Sequence, residues 1–371
     1  MKILYDHQIF TLQKFGGISR YFNELMKMQN QSIVFDTIDP ALFTVANKPS
    51  SNDLFSRAQR FVGRKLGNTK QIGADLPIQA QMKLELGDYD ILHPTYYDPY
   101  FLLRTKKPFV LTVYDMIHEI YKEYFPMNDS ISSNKRLLCE KADSIIAISH
   151  KTKNDLMQIF NVPEEKVFVT HLASDFHKYQ PTEPTIEFEL KRYILFIGNR
   201  GHYKNFYFMI ISLREILLSD SNVQILCTGT EFNDLEINFF NEIGISQQIL
   251  HIYLENDTEL AWIYRHAAVF IFPSLYEGFG LPILEAFTSD CPVVSSLGGS
   301  LPEVAGDAAL YFDPKSITQL QDAVSSVLYS GEVRKELIDK GKNRYAEFSW
   351  ERCRNETIEV YKKTTLNYSK R

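Results

Sequence analysis

The sequence predicts an α/β protein of two Rossmann-like halves, each a parallel sheet flanked by helices. Three observations lead there. Short apolar runs of strand length alternate with helix-period segments through both halves of the chain. The alternation breaks once, over Phe176–Glu189, where Pro181, Pro184, Thr and Glu replace apolar residues and an interdomain linker is expected. The third is the passage AVFIFPSLYEGFGLPILEAFTSDCPVVSSLGGSLPE, Ala268–Glu303, which reads as strand, loop, helix, strand, loop. Ligands of such sheets bind outside the carboxyl ends of the strands.

In the first half, Met1–Tyr5 reads as a central strand and Asp6–Phe15 as the loop after it. The glycine pair Gly16-Gly17 then feeds a helix, FGGISRYFNELMKM. Such a pair at a helix start is a phosphate-cradle geometry, although on its own it is more often a plain tight turn. Leu54–Ala74 carries Arg57, Arg60, Arg64, Lys65 and Lys70, no acid, and interleaved apolar residues. It is either a solvated basic helix or a patch for a membrane surface or anionic acceptor. Asp88-Tyr89-Asp90 has a metal-binding D-x-D form, but the strand ILH follows directly and a turn role is expected. Phe109–Val113 is a buried strand whose carboxyl end delivers Asp115 and His118. Strands Ser144–Ser149 and Lys166–Thr170 complete this sheet.

The second half opens on the strand Tyr193–Gly198 and the loop NRGHYKNF, which places Arg200 and Lys204 before a helix. Cations there are well placed for phosphate, although two basic loop residues ordinarily just solvate a surface. Asp257 reads as a helix N-cap. In the organising passage, Pro273 ends the strand, Ser274–Gly280 forms a loop, and Leu281-Pro282 starts a helix. Gly278 and Gly280 permit close backbone approach, and the helix start favours an anion. Glu277 offers a carboxylate to sugar hydroxyls. Glu285 stands eight residues later, on the helix.

Composition bounds the alternatives. A chain of 371 residues accommodates two substantial cores, and 44% hydrophobic with 23% charged residues is ordinary for a globular protein. A net charge of −6 gives no support for nucleic-acid binding. Cys139, Cys227, Cys291 and Cys353 have no metal-ligand spacing, and buried thiols of a reducing compartment are expected. No apolar run has the length of a membrane span. MKILYDHQIF reads as a strand rather than a signal peptide, so a cytoplasmic location is expected.

EGFGLPILE followed by VVSSLGGSLPEVAGDAALYFDP resembles the E-x7-E region of retaining glycosyltransferase family 4, whose fold is GT-B: two Rossmann-like domains facing across a cleft. The resemblance implies an acceptor-side domain at 1–178, a nucleotide-sugar donor domain at 179–349, and a helix at 350–371 crossing back to the first. It implies that Glu277 binds the donor sugar's hydroxyls, Glu285 the ribose, and the backbone of Gly278, Phe279, Gly280 and Leu281 the sugar and diphosphate. Gly16 and Gly17 would close on the diphosphate, with Arg20 as a helper. Lys204 and Arg200 would meet phosphate charge, with Asn199 where some relatives carry the arginine. Tyr253 and Leu254 would flank the base. Asp115 or His118 would face donor sugar and acceptor, the alternatives arising because Tyr114 stands where a histidine is commonest.

The implied activity is transfer of a hexose from a UDP-glucose- or GDP-mannose-type donor to a saccharide or lipid-linked saccharide. The setting would be surface polysaccharide synthesis, with no metal or cofactor, no nucleic-acid partner, and peripheral contact at the inner membrane face. Two rivals are a nucleotide-sugar epimerase of the same fold and a binding protein without turnover. A Rossmann dehydrogenase is excluded by the missing G-x-G-x-x-G fingerprint.

Overall fold

The structure is a computed structural model that describes residues 1–13, 16–27, 32–38 and 78–370, with backbone alone at 78 and 79. The basic segment Leu54–Ala74 lies outside the described residues. Two compact units divide the chain. One comprises Met1–Ala147, Lys153–Thr170 and Arg354–Arg371, the other Ile148–Thr152 and His171–Cys353.

The first unit contains strands β1 (Lys2–Tyr5), β2 (Val34–Thr37), β3 (Ile91–His93), β4 (Val110–Val113), β5 (Ser144–Ala147) and β6 (Val167–Val169). They pair in parallel as β2-β1-β3 and β4-β5-β6, and a parallel bridge from Leu92 to Phe109 joins the two sets. Strands β3, β4 and β5 are buried at every position, as expected of parallel strands covered on both faces. The loop expected after β1 contains a short helix, Gln8–Leu12. Its turn is started by the buried carboxylate of Asp6, which accepts hydrogen bonds from the Gln8 amide (3.3 Å) and from the amide and hydroxyl of Thr95 (2.8 and 2.6 Å). Asp88 and Asp90 hold the amino-terminal edge: Asp90 accepts the Lys2 amide at 2.7 Å and Asp88 its ammonium at 2.8 Å.

The end of the chain packs on this unit. Within the helix Trp350–Tyr368, Tyr361 is fully buried and its hydroxyl lies 2.6 Å from His93 Nδ1 and 3.0 Å from the Tyr5 hydroxyl. Thr112 Oγ1 takes the other ring nitrogen of His93 at 2.8 Å. Farther along, Thr364 Oγ1 donates to Ser144 Oγ at 2.7 Å.

The second unit is one six-stranded parallel sheet of β7 (Arg192–Phe196), β8 (Val223–Cys227), β9 (Ile249–His251), β10 (Val269–Phe272), β11 (Val293–Ser296) and β12 (Ala309–Phe312). Its spatial order is β12-β11-β10-β7-β8-β9. The chain starts at the centre, winds outward to β9, then returns beside β7 and winds outward the other way. Alternate residues of the strands (Ile194, Phe196, Ile225, Val269, Ile271) pack with Phe206, Met209, Leu213, Leu320 and Val324 of two helices in one apolar core. The helix Asp257–His266 is capped by Asn256, not Asp257 as expected. The Asn256 side-chain oxygen accepts from the amides of Thr258 and Glu259, both at 3.0 Å, and Asp257 sits in the first turn, where its charge suits the helix dipole. All four cysteines are buried and unbridged, and burial pushes the thiols of Cys139 and Cys291 up to about 12.

Burial pushes the His93 imidazole down to about 3 from its ordinary 6.5. Between those values the unfolded chain binds a proton that the folded one refuses, so lowering the pH through this window removes stability. Urea unfolding should show a loss between pH 7 and pH 5 that is smaller in His93→Gln. Tyr361→Phe should lower stability by about 1–3 kcal/mol, because it leaves buried polar groups without a partner.

Candidate active site

The reversal of strand order puts the carboxyl ends of β7 and β10 side by side, with Val269 in register with Ile194 and Phe270 with Leu195. In doubly wound sheets this crevice is where ligands bind. Two loops leave it. The loop after β7 passes through Gly198 to a 3-10 turn, His202–Lys204, then left-handed Asn205, and enters the helix Phe206–Ser219. The loop after β10 runs from Pro273 to Gly280 and enters the helix Leu281–Thr288, with Pro282 in its first turn. The Leu275 amide donates to the Tyr203 carbonyl at 2.7 Å and fastens one loop to the other.

That fastening brings Lys204 and Glu277 together. Lys204 Nζ lies 2.7 Å from Glu277 Oε1, with side-chain exposures of 19% and 13%. Ser274 Oγ donates to the same oxygen at 2.6 Å. The backbone of Glu277 is gripped from below: its carbonyl accepts the Ser300 amide and hydroxyl, both at 3.0 Å, and the same hydroxyl reaches the Phe279 carbonyl at 2.9 Å. Gly299, at φ +62°, allows that approach, since a Cβ there would stand 2.3 Å from the Glu277 carbonyl oxygen. Gly280, at φ +114°, turns the chain into the helix, and a Cβ would meet Leu301 at 2.9 Å. In the helix's first turn Pro282 has no N–H and the Ile283 amide donates to the Gly280 carbonyl at 3.0 Å, so the Leu281 amide is the one at the very start of the helix. Glu285, one turn into the helix, accepts from the Tyr264 hydroxyl at 3.2 Å. Burial and that carboxylate hold the Tyr264 hydroxyl well above the phenol range.

The other expected residues have more varied surroundings. Phe279 is buried, its ring packed against His171 and Phe348. After β9, Tyr253 is exposed and Leu254 half-buried. Arg200 is directed away from solvent. Its guanidinium lies 2.6 Å and 3.1 Å from the Glu236 carboxylate and donates to the carbonyls of Thr230 (2.7 Å) and Glu231 (2.8 Å). Burial alone would raise the Glu236 carboxyl, but the Arg200 hydrogen bonds and the Asn233 amide hold it below its usual range.

In the first unit, Gly16 and Gly17 are exposed at the start of the helix Gly17–Met26. Past the carboxyl end of β4, Asp115 accepts the Ile117 amide at 3.0 Å. His118 stacks on Phe125 and lies 3.2 Å from Asp129. Burial and then the nearby Lys135 charge push its imidazole down. Lys135 is fully buried and donates to the Asp115 carbonyl and to Glu119, each at 2.9 Å, which fixes this loop from beneath.

Three groups escaped the sequence reading: Ser274, Ser300 and Glu303. Ser274 precedes Glu277 by three residues, a spacing from which a hydroxyl can reach the carboxylate; Ser300 is joined to the site only through the fold. Glu303 accepts His171 Nε2 at 2.7 Å and the amides of His150 (2.8 Å) and Lys151 (3.0 Å). Among the described residues, His150, His171 and Glu303 form the one cluster with a metal-ligand composition. It sits at the start of the helix His150–Phe160, whose positive dipole end opposes a cation. Its geometry suits a carboxylate cap.

Comparison with known proteins agrees with this geometry. Residues 182–344 match Glycosyl transferases group 1, and residues 15–176 match Glycosyltransferase Family 4. The chain is 31% identical over 298 residues to O-antigen chain mannosyltransferase B of Escherichia coli, covering 76% of this chain and 77% of that protein. It is 26% identical over 228 residues to O-antigen chain mannosyltransferase RfbU of Salmonella typhimurium, covering 58% and 62%. Among solved structures it resembles sucrose-phosphate synthase of Thermosynechococcus elongatus (TM-score 0.72, 16% identity, 98% of each chain). It also resembles Anabaena HepE in complex with UDP-glucose (TM-score 0.68, 15% identity, 100% of each chain). These likenesses establish the GT-B fold. Among the described residues no helix is long and apolar enough to cross a membrane.

Arg200→Ala should leave Glu236 as a buried, uncompensated charge and destabilise the protein by about 3–5 kcal/mol. Denaturant unfolding measures this. An unchanged midpoint would show that the Arg200–Glu236 pair contributes no net stability.

Proposed function

The chain belongs to glycosyltransferase family 4, and from that premise we propose that it moves a hexose, with retention of anomeric configuration, from a nucleoside-diphosphate sugar to a saccharide or lipid-linked saccharide. The observation that carries the proposal is the Lys204–Glu277 pair at the crevice between β7 and β10. One cation and one carboxylate stand there beside the start of the helix Leu281–Thr288. That is the set a diphosphate and a polyol require together.

In this reading the donor's diphosphate lies against the helix start and Lys204. Breaking the glycosidic bond leaves negative charge on the diphosphate, and fixed donors already aimed at it stabilise that charge without reorganising. An ammonium carries three donors, so pairing with Glu277 is compatible with phosphate contact. Glu277 accepts from sugar hydroxyls and Glu285 from the ribose. Tyr253 and Leu254 flank the base. Asp115 or His118 serves the acceptor side, and the acceptor's proton passes to the leaving phosphate oxygen. With charge neutralised by protein groups, the reaction needs no metal. The relatives named as O-antigen mannosyltransferases favour mannose as the sugar and a surface polysaccharide as the product.

Thermal melts with GDP-mannose and UDP-glucose test the donor, since a bound ligand raises the melting temperature by mass action. Lys204→Ala should reduce turnover about a hundredfold, the scale of one lost transition-state donor, and activity should persist in excess chelator. Glu285→Gln should weaken both the sugar nucleotide and its nucleoside diphosphate about ten- to a hundredfold. Glu277→Gln should weaken only the sugar nucleotide. Equal loss of nucleoside diphosphate in both variants, read by calorimetry, would contradict the assigned roles.

A further inference from the structure

The two oxygens of Glu277 have unequal surroundings. Oε1 receives both Lys204 Nζ (2.7 Å) and Ser274 Oγ (2.6 Å). A carboxylate oxygen offers two lone-pair sites, so these two donors fill it. Oε2 has no hydrogen-bond partner among the described residues. Ser274 is itself fully buried. Its carbonyl accepts the Ser296 hydroxyl, which also takes the Gly298 amide at 3.2 Å. Gly298 packs so closely that a Cβ there would stand 2.4 Å from the Ser274 carbonyl oxygen. The hydroxyl of Ser274 is thus mounted on backbone held by β11 and the glycine loop after it.

We infer that Ser274 is a positioning residue that locks Glu277 through Oε1 and so presents Oε2 alone to the donor sugar. This rests on the reading of Glu277 as the sugar-hydroxyl acceptor. Glu277 then acts as a one-oxygen acceptor rather than a two-pronged clamp with one hydroxyl on each oxygen. Lys204 is a poor lock by itself, because the same ammonium also serves an incoming diphosphate. Ser274 carries no charge and no phosphate competes for it, so it holds Oε1 steadily while the Lys204 ammonium, still paired with that oxygen, gives its remaining donors to phosphate. A charge-assisted hydrogen bond from a buried hydroxyl is strong enough for this.

The test is calorimetric titration of the wild type, Ser274→Ala, Ser274→Cys, Glu277→Ala and the Ser274→Ala/Glu277→Ala double variant. Each is titrated with GDP-mannose, UDP-glucose, GDP and UDP, after its melting temperature confirms folding. Ser274→Ala should lower affinity for the bound sugar nucleotide about tenfold and leave the matching nucleoside diphosphate unchanged. Ser274→Cys fills the same space with a weak donor and should behave alike. In the Glu277→Ala background the loss should vanish, since the hydroxyl acts only through that carboxylate. Unaltered sugar-nucleotide affinity in both Ser274 variants overturns the inference, as does an equal loss of nucleoside diphosphate or additive losses in the cycle. If Glu277→Ala weakens binding while Ser274→Ala does not, this inference alone fails. A wild type that binds neither sugar nucleotide fails the reading of the site, and the inference with it.

Discussion

The adjacency of β7 and β10 is the constraint from which the rest of the second unit follows. Lys204 and Glu277 are 73 positions apart in the chain and meet only because the sheet reverses its winding between these two strands. Parallel pairing sends both strands out at the same edge, and the loops that follow leave as neighbours. The hydrogen bond from the Leu275 amide to the Tyr203 carbonyl then converts neighbouring loops into one surface. Each loop ends by starting a helix, so unpaired amides collect at the same edge as the lysine. Strand order, loop contact and helix polarity agree, and together they gather a cation, a carboxylate and two helix starts at one edge of the sheet.

Lys204 and Arg200 stand four positions apart in the same loop, and the fold treats them in opposite ways. Arg200 presents a planar fork, and fixed acceptors surround it: the Glu236 carboxylate and two backbone carbonyls. Once buried and satisfied, such a group costs free energy to withdraw, because its partners would be left unpaired. The Lys204 ammonium is a compact charge on a flexible stem, partly exposed, beside a carboxylate that is also partly exposed. It can move to a new anion at lower cost. Both residues stand in a post-strand loop suited to phosphate, with the resemblance favouring Lys204 over Arg200, and the loop's sequence says nothing about which way a side chain turns. The deciding element was Glu236, on a helix formed by residues 234–242, whose approach to the loop is a tertiary fact.

The same distinction explains what was legible and what was not. Strands such as Val110–Val113 and Val269–Phe272 are buried on both faces, and their apolar runs announce them without help from partners. The start of the helix at Leu281 was marked by Pro282, and the positive φ of Gly280 by its glycine. The short helix Gln8–Leu12 was not visible, because Asp6 nucleates it through Thr95, almost ninety positions away in the chain. Asn256 and Asp257 are both competent caps by composition, and backbone geometry alone chose between them. In the site, Glu277 and Glu285 could be picked out by their local context. Ser300 could not, because its contact with Glu277 runs between loops that follow different strands.

That contact shows why the second glycine pair accompanies the first loop. Gly298 and Gly299 press backbone against the backbone of Ser274, Leu275 and Glu277 at distances no side chain would permit. Ser300 then supplies the hydrogen bonds that keep the pressed strands of loop from parting. A loop carrying a ligand-binding carboxylate ordinarily gains mobility from its glycines. Here the glycines of one loop remove that freedom from the other, because their lack of a Cβ is what lets main chain meet main chain. The carboxylate of Glu277 is therefore held by its own loop through Ser274 and by its backbone through Ser300. Glu277 is thus tied both at its side chain and at its main chain, and it meets Lys204 across the neighbouring loop after β7.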